Sequence, residues 1–154
     1  MKSRPKAYSC MDDALRELVV AWLAKASHDL RAAERLVPDD DEGGYEPLFG
    51  AAAFHLQQAA EKTLKAYLAS RSVRFANIHD LSKLLALAGT IEVGFDHLAE
   101  AAETLAPFAV EIRYPGDWDD LTRDEYVEVK RATEEIVDSV TERIEEGDEG
   151  RKTT

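Results

Sequence analysis

Apolar residues recur at steps of three and four along most of this 154-residue chain, and no other feature constrains the fold as strongly. That spacing places side chains on one face of an α-helix, so each such stretch predicts an amphipathic helix with one buried side. The first stretch runs from Leu15 to Val37, and the second covers residues 46–70. Nowhere do apolar and polar residues alternate as in a half-exposed strand. The sequence therefore predicts an all-α fold, an up-and-down antiparallel bundle of four to five helices.

Several residues mark where these helices begin, end or bend. Asn77 or His79 is expected to cap a short third helix. Pro107 lies inside a fourth helical pattern and removes one backbone hydrogen bond there, so we expect a kink or two short helices. Thr122 and Glu125 have the spacing of a capping box, which predicts the start of the last helix.

The length suits one domain with a single core. Hydrophobic residues make up 45% and charged residues 32% of the chain, a composition typical of globular domains. We expect a flexible N-terminus at residues 1–11, a helical domain at 12–146 and a disordered tail at 147–154. No apolar stretch approaches the roughly 20 residues of a membrane span, and the basic start lacks the apolar run of a signal peptide. A cytoplasmic protein that does not enter the membrane is therefore expected.

The charge and the metal-binding residue types exclude several classes of function. A net charge of −12 opposes broad binding to nucleic-acid backbones, although it leaves room for a local phosphate pocket. The single cysteine, Cys10, can form neither an internal disulfide nor a thiolate zinc site. The four histidines lack metal-ligand spacing, and no glycine-rich phosphate loop is present. We expect no metal and no cofactor.

A polar stripe on the second helix is the best candidate for a ligand site. His55, Gln58, Lys62 and Lys65 fall within roughly an 80° sector of that helix, away from its leucines. Residues 62–74 include four basic residues and no acidic one, which reverses the charge of the whole chain. The lysines could meet phosphates, while the glutamine and the histidine could hydrogen-bond a base or a sugar.

Arg113 is a second candidate, because Tyr114 and Pro115 follow it in a rigid turn that fixes the direction of its guanidinium. Both candidates also have an ordinary structural interpretation. Glu61 and Lys65 have the spacing of a routine helical ion pair, and Arg113 could pair with an acidic residue at 117, 119 or 120.

Four segments together resemble a known family of small helical domains, the HEPN family. They are AKASHDLRAAERLV, FHLQQAAEKTLKAYL, HDLSKLLAL and EIRYPGDW, in that order and at the family's spacing. The resemblance implies a bundle of about five helices, usually a homodimer, with a groove for a nucleotide or RNA. It assigns His55, Gln58, Lys62, Lys65, Arg113 and Tyr114 to ligand binding. It also implies pairing with a minimal nucleotidyltransferase, in an arrangement similar to toxin and antitoxin modules.

One departure from the family pattern bears on catalysis. Ribonuclease members of the family carry a histidine that is separated from the arginine by four to six residues, whereas Trp118, Asp119 and Asp120 stand at those positions in this chain. The favoured hypothesis is therefore a binding module for a nucleotide or a protein partner. A metal-independent endoribonuclease toxin that uses Arg113 with His55 or His79 is the first alternative. A structural dimer that binds no ligand is the second.

Overall fold

The computed structural model describes the backbone of residues 6–39, 44–110 and 121–152, and the side chains of 13–39, 44–110 and 121–150. Within these ranges the chain forms five α-helices and two short 3-10 helices, and no strand. The helices are α1 (Lys6–Leu36), α2 (Phe49–Ser70), α3 (Leu81–Gly89), α4 (Ala99–Leu105) and α5 (Arg123–Lys152). The predicted all-α fold is confirmed.

α2 occupies the centre of the bundle. It packs against α1, α5, α3 and α4. Contacts fix the directions of the long helices: Phe49 meets Tyr126, and Arg71 reaches the carbonyl of Arg143, so α2 and α5 run parallel. α1 runs antiparallel to α2, since Asp29 in its second half bonds His55 in the first half of α2. The large core side chains that are almost fully enclosed come from α2, α3, α4, α5 and the 3-10 helix Asp96–Leu98, and include Leu64, Tyr67, Leu68, Leu84, Leu98, Leu105, Ile136 and Val140.

Two of the predicted helix signals are confirmed. The backbone N–H of Thr122 donates to Glu125, and the N–H of Glu125 donates to the Thr122 hydroxyl, which is the reciprocal pattern of a capping box. α4 ends at Leu105, and Pro107 lies in the 3-10 helix Ala106–Phe108 that follows. The fourth helical pattern is thus split into short helices, as expected from its proline.

The predicted cap of α3 is wrong. Asp80 is the N-cap, and its side chain accepts from the backbone N–H of Ser82 at 2.8 Å and of Lys83 at 3.3 Å. Asn77 instead lies in a preceding turn with a left-handed φ of 63°. The side chain of His79 is already bonded to Glu61 on α2.

The described helices reach into both terminal segments of the predicted domain division. α1 begins at Lys6, inside the segment predicted to be flexible, and α5 continues to Lys152, through most of the segment predicted to be a disordered tail. At the C-terminal end, the guanidinium of Arg71 lies directly against Gly147, where no side chain obstructs it. This contact ties the last turns of α5 to the end of α2.

None of the helices in the described part of the chain is long and apolar enough to cross a membrane.

A candidate site on the central helix

Beyond its first turn, α2 reaches solvent along a single line of residues. Between residues 52 and 70 every side chain is buried except Phe54, His55, Gln58 and Lys62. Their spacing places them on one face of the helix. We call these four residues the α2 window. Three of them belong to the polar stripe that the sequence predicted, and the structure brings them together at one surface.

Asp29 of α1 lies beneath this window. His55 Nδ1 is 2.8 Å from one of its carboxylate oxygens, and the Lys62 ammonium donates to the other. An ionised carboxylate only accepts hydrogen bonds, so the imidazole donates through Nδ1 when neutral. That tautomer leaves Nε2 as an acceptor for a ligand. The His55 and Lys62 side chains remain 31% and 23% exposed, whereas that of Asp29 is only 11% exposed.

Glu61 is the centre of a second group of polar contacts, deeper in the molecule. One of its oxygens accepts from Lys65 at 2.7 Å and lies 2.9 Å from Nδ1 of His79. Its other oxygen lies 3.4 Å from the side-chain amide nitrogens of both Gln57 and Gln58. Through these bonds Glu61 connects α2 to the segment that leads into α3.

Lys65 does not open to solvent with the rest of the predicted stripe. Its side chain is 7% exposed, and its ammonium lies 5.5 Å from the centre of the Trp22 ring. The ion pair with Glu61 that the sequence suggested is present, but it is buried where a surface pair was expected. Lys65 therefore supports the fold beneath the window.

The charges of the stripe cancel within the molecule. Lys62 pairs with Asp29 and Lys65 with Glu61, so two ammonium groups meet two carboxylates. Arg71, further along the basic segment 62–74, approaches Glu92 at 3.6 Å and covers the ring of Tyr67 at 5.0 Å. Three of the four basic residues of this segment thus pair with carboxylates.

Asp29 is the site residue that the sequence did not reveal, and Glu61 was expected only as the partner of Lys65. The contacts of Asp29 with Lys62 and of Glu61 with His79 join residues 33 and 18 positions apart, beyond any local spacing rule. A signal was nevertheless present: Asp29 is three residues after Ala26 and four before Ala33, so it lies on the apolar face of α1. A charged residue in such a position needs a buried partner.

The remaining candidates are placed as follows. His79 lies next to the window through Glu61 and is 70% exposed. Arg113 and Tyr114 lie outside the described residues. Among the residues whose side chains are described, no group of three or more histidine, cysteine, aspartate or glutamate side chains could hold a metal ion.

The bundle order and the central helix with its window define a class of small helical domains in which three long helices, here α1, α2 and α5, pack with two short ones, α3 and α4. The HEPN domain family model matches residues 19–144, which include α2 to α4 and most of α1 and α5. The chain belongs to the HEPN family.

A solved structure agrees at the level of the fold. The crystal structure of an archaeal HEPN homologue superposes with a TM-score of 0.63 at 23% sequence identity, over 82% of this chain and 97% of that one. A search of the curated proteins found no match.

Proposed function

We propose that this protein is a binding module of the HEPN family that holds a nucleotide or a protein partner at the α2 window. One observation carries the proposal. Between residues 52 and 70 the central helix is otherwise buried yet opens beside Phe54 along His55, Gln58 and Lys62, three of the residues that the family resemblance assigns to ligand binding.

The pairing of charges indicates what kind of ligand suits the window. A bare phosphate finds no net positive charge there, because Lys62 is neutralised by Asp29. A nucleotide offers more: its base or ribose can bond the Nε2 acceptor of His55 and the amide of Gln58. Lys62, partly exposed on a flexible stem, can then turn from Asp29 toward a phosphate. The window therefore favours a ligand that combines polar and anionic groups.

Catalysis is not part of the proposal. Both histidines that could replace the missing family histidine are bonded to carboxylates, His55 to Asp29 and His79 to Glu61. Each bond orients its imidazole and leaves Nε2 available, but a ribonuclease of this family also needs its histidine beside the arginine, and Trp118, Asp119 and Asp120 occupy the positions of that histidine. We therefore expect the purified protein to leave total RNA intact. Cleavage that disappears in Arg113→Ala would contradict this and favour a ribonuclease.

Family membership supports two further parts of the proposal. We expect a cytoplasmic homodimer, and we expect the protein partner to be a minimal nucleotidyltransferase in a pair similar to toxin and antitoxin modules. The neighbouring gene is the direct test of that pairing.

Calorimetry with a panel of nucleotides tests the small-molecule form of the proposal. We expect wild-type protein to release heat with at least one nucleotide, and Gln58→Ala to weaken that binding about tenfold through one lost hydrogen bond. Lys83→Ala is the matched control, because Lys83 is exposed on α3 away from the window. Binding that is equally strong in Gln58→Ala and His55→Ala would place the ligand elsewhere.

Co-purification with an encoded nucleotidyltransferase partner tests the protein form. Gln58→Arg adds bulk and charge at the middle of the window and should abolish the complex, whereas Lys83→Ala should retain it. A wild-type protein that binds neither a nucleotide nor this partner would overturn the proposal and leave the structural dimer as the better account.

A further inference from the structure

A second surface, on a different side of α2, is lined by α1 and α5. These two helices leave a cavity of about 290 Å³ between them, with Leu56 of α2 among the residues that line it. Leu30, Ala33, Val37 and Val137 add further apolar side chains to it. We call this surface the α1–α5 groove. It extends about 10 Å along α1 and about 18 Å along α5 at the helical rise per residue.

The groove has an acidic rim. Its carboxylates come from Glu34 of α1, from Asp39 just after α1, and from Glu134 and Asp138 of α5, and Lys130 is the one basic residue in its lining. Four carboxylates and one ammonium leave a net charge of −3. No ion pair joins any of these five side chains to another described residue, unlike the paired charges beneath the α2 window.

Tyr126 lines the same cavity. It is 5% exposed, and its hydroxyl makes no hydrogen bond to any residue in the described ranges. Burial raises its pKa to about 12, and the carboxylates of Asp39, Glu34 and Glu134 add to the shift. The groove therefore combines apolar walls, a buried phenol and an excess of negative charge. A cationic segment with apolar side chains is its natural complement.

The N-terminal segment of this chain has that chemistry. Residues 1–11 contain Lys2, Arg4 and Lys6 and no acidic residue, so their side-chain charge is +3 in a chain of net charge −12. The apolar residues Tyr8 and Met11 lie in the same segment. Its charge is equal and opposite to that of the groove.

The described start of α1 has no buried side chain. The first buried residue of the helix in the described range is Val19, which is also where the HEPN match begins. α1 runs about 20 Å from Lys6 to Val19, and the side chains of residues 13–18 are exposed or half-buried. It exposes Leu18, which is 46% accessible. A helix of this length has little stability alone, so a partner surface would stabilise it.

The segment cannot reach the groove of its own chain while α1 is intact. From Lys6 to Leu30, where the groove begins, the helix measures about 36 Å. Residues 1–5 span at most about 17 Å when extended. A groove on another copy of the chain has no such restriction.

We propose that residues 1–11 of one copy bind the α1–α5 groove of a second copy. The basic side chains of the segment lie opposite the acidic rim, and its apolar residues cover Leu56 and Tyr126. This inference rests on the self-association proposed above, but it is independent of any ligand at the α2 window.

Charge reversal at the segment and at the groove tests the proposal in full-length protein. Sedimentation should show that Lys2→Glu/Arg4→Glu/Lys6→Glu weakens self-association at least about tenfold, and that Glu134→Lys/Asp138→Lys does the same. Mixing the two variants should restore association, because each supplies what the other lacks. The control Glu135→Lys/Glu142→Lys makes the same charge change on exposed α5 residues outside the groove and should retain wild-type association.

A synthetic peptide of residues 1–11 identifies the occupant. It should bind the triple-glutamate variant, and at least about tenfold more weakly once Glu134→Lys/Asp138→Lys is added. A scrambled peptide of the same composition should bind more weakly than the native one. Equal binding of the two would show a general site for cationic peptides and overturn the assignment to residues 1–11. Unchanged self-association in both charge-reversal variants would overturn the docking itself.

The calorimetric measurement at the α2 window separates this proposal from the proposed function. Nucleotide binding by the triple-glutamate variant should match that of wild type. If self-association is lost while nucleotide binding is kept, the docking proposal is supported. If nucleotide binding is lost while self-association is kept, only the proposed function of the α2 window is affected.

Discussion

The α2 window and the α1–α5 groove use the same residue types in opposite ways. Beneath the window each carboxylate is buried and already bonded, Asp29 to Lys62 and Glu61 to Lys65. Along the groove the carboxylates lie at the rim of an apolar cavity and are not paired within the described chain. The first arrangement stabilises the monomer. The second leaves carboxylates that can attract a cationic group of another molecule. Both regions are rich in acidic residues. They differ in whether a basic side chain of the described chain pairs with each carboxylate.

The largest predicted effect is the loss of stability when the buried side chain of Glu61 is removed. Glu61→Ala leaves the Lys65 ammonium buried without its partner and removes an acceptor from His79, so we expect a loss of about 3–5 kcal/mol in the free energy of unfolding. Chemical denaturation measures it. The control is Glu128→Ala, which breaks an exposed ion pair with Arg131 and should change stability by less than about 1 kcal/mol. Equal losses would mean that the burial of the pair has no consequence.

A smaller loss is expected at Asp29. Its partners, Lys62 and His55, are partly exposed and can turn toward water in Asp29→Ala, so the expected cost is about 1–3 kcal/mol. Asp29→Asn keeps the shape of the side chain and separates lost charge from lost packing. If Asp29→Ala lowered the free energy of unfolding as much as Glu61→Ala, the contacts at the window would be as closed to solvent as those around Glu61.

Alkaline titration examines the groove. The pKa of Tyr126 is raised to about 12 from an ordinary value of 10 because the side chain is buried, with smaller contributions from Asp39, Glu34 and Glu134. The unfolded chain loses this proton first, so the stability due to Tyr126 is complete below about pH 10 and is lost as the pH rises toward 12.

Spectrophotometric titration of tyrosinate measures this. Tyr126→Phe should remove a late-titrating group and flatten the loss of stability above pH 10. Tyr67, whose pKa is also raised, chiefly by burial and by its bond to Glu92, continues to contribute to the alkaline loss. Glu134→Gln should lower the pKa of Tyr126 slightly, since burial is its main cause. A Tyr126 that titrates near pH 10 would show that the groove is open and weakly charged.

The smallest effect on stability is expected when carboxylates at the rim of the α1–α5 groove are neutralised in the monomer. Glu134→Gln/Asp138→Gln removes two unpaired charges, so the free energy of unfolding should change by no more than about 0.5 kcal/mol. Any gain should come from reduced repulsion and should shrink in about 1 M salt, where the screening length falls to about 3 Å. Thermal unfolding at two salt concentrations, at a protein concentration too low for association, measures it. A large loss would mean that these carboxylates are structural, like Glu61.

The sequence predicted the parts of this molecule that depend on short-range rules. The helical faces of α1 and α2, the capping box at Thr122 and the interruption at Pro107 follow from residues within one or two turns of each other. The cap of α3 was predicted incorrectly because Asn77, His79 and Asp80 are all polar residues near the helix start, and only the backbone conformation decides among them.

The site was less predictable because its bonds join distant residues. The stripe from His55 to Lys65 was identified from helical spacing, but its neutralisation by Asp29 depends on how α1 packs on α2. The burial of Lys65 depends on Trp22, which approaches from α1. Local charge in the sequence therefore indicated a cationic surface where the folded chain has a balanced one.

The central position of α2 has a consequence for local opening. An amide proton in a helix exchanges with solvent only when its hydrogen bond breaks, and in α2 that requires α1, α5, α3 or α4 to move away. Deuterium should therefore enter α2 last, at a rate set by unfolding of most of the domain. Residues 13–18 of α1 have no such cover, and their exchange should be fast in a monomer and slow wherever a second molecule encloses them.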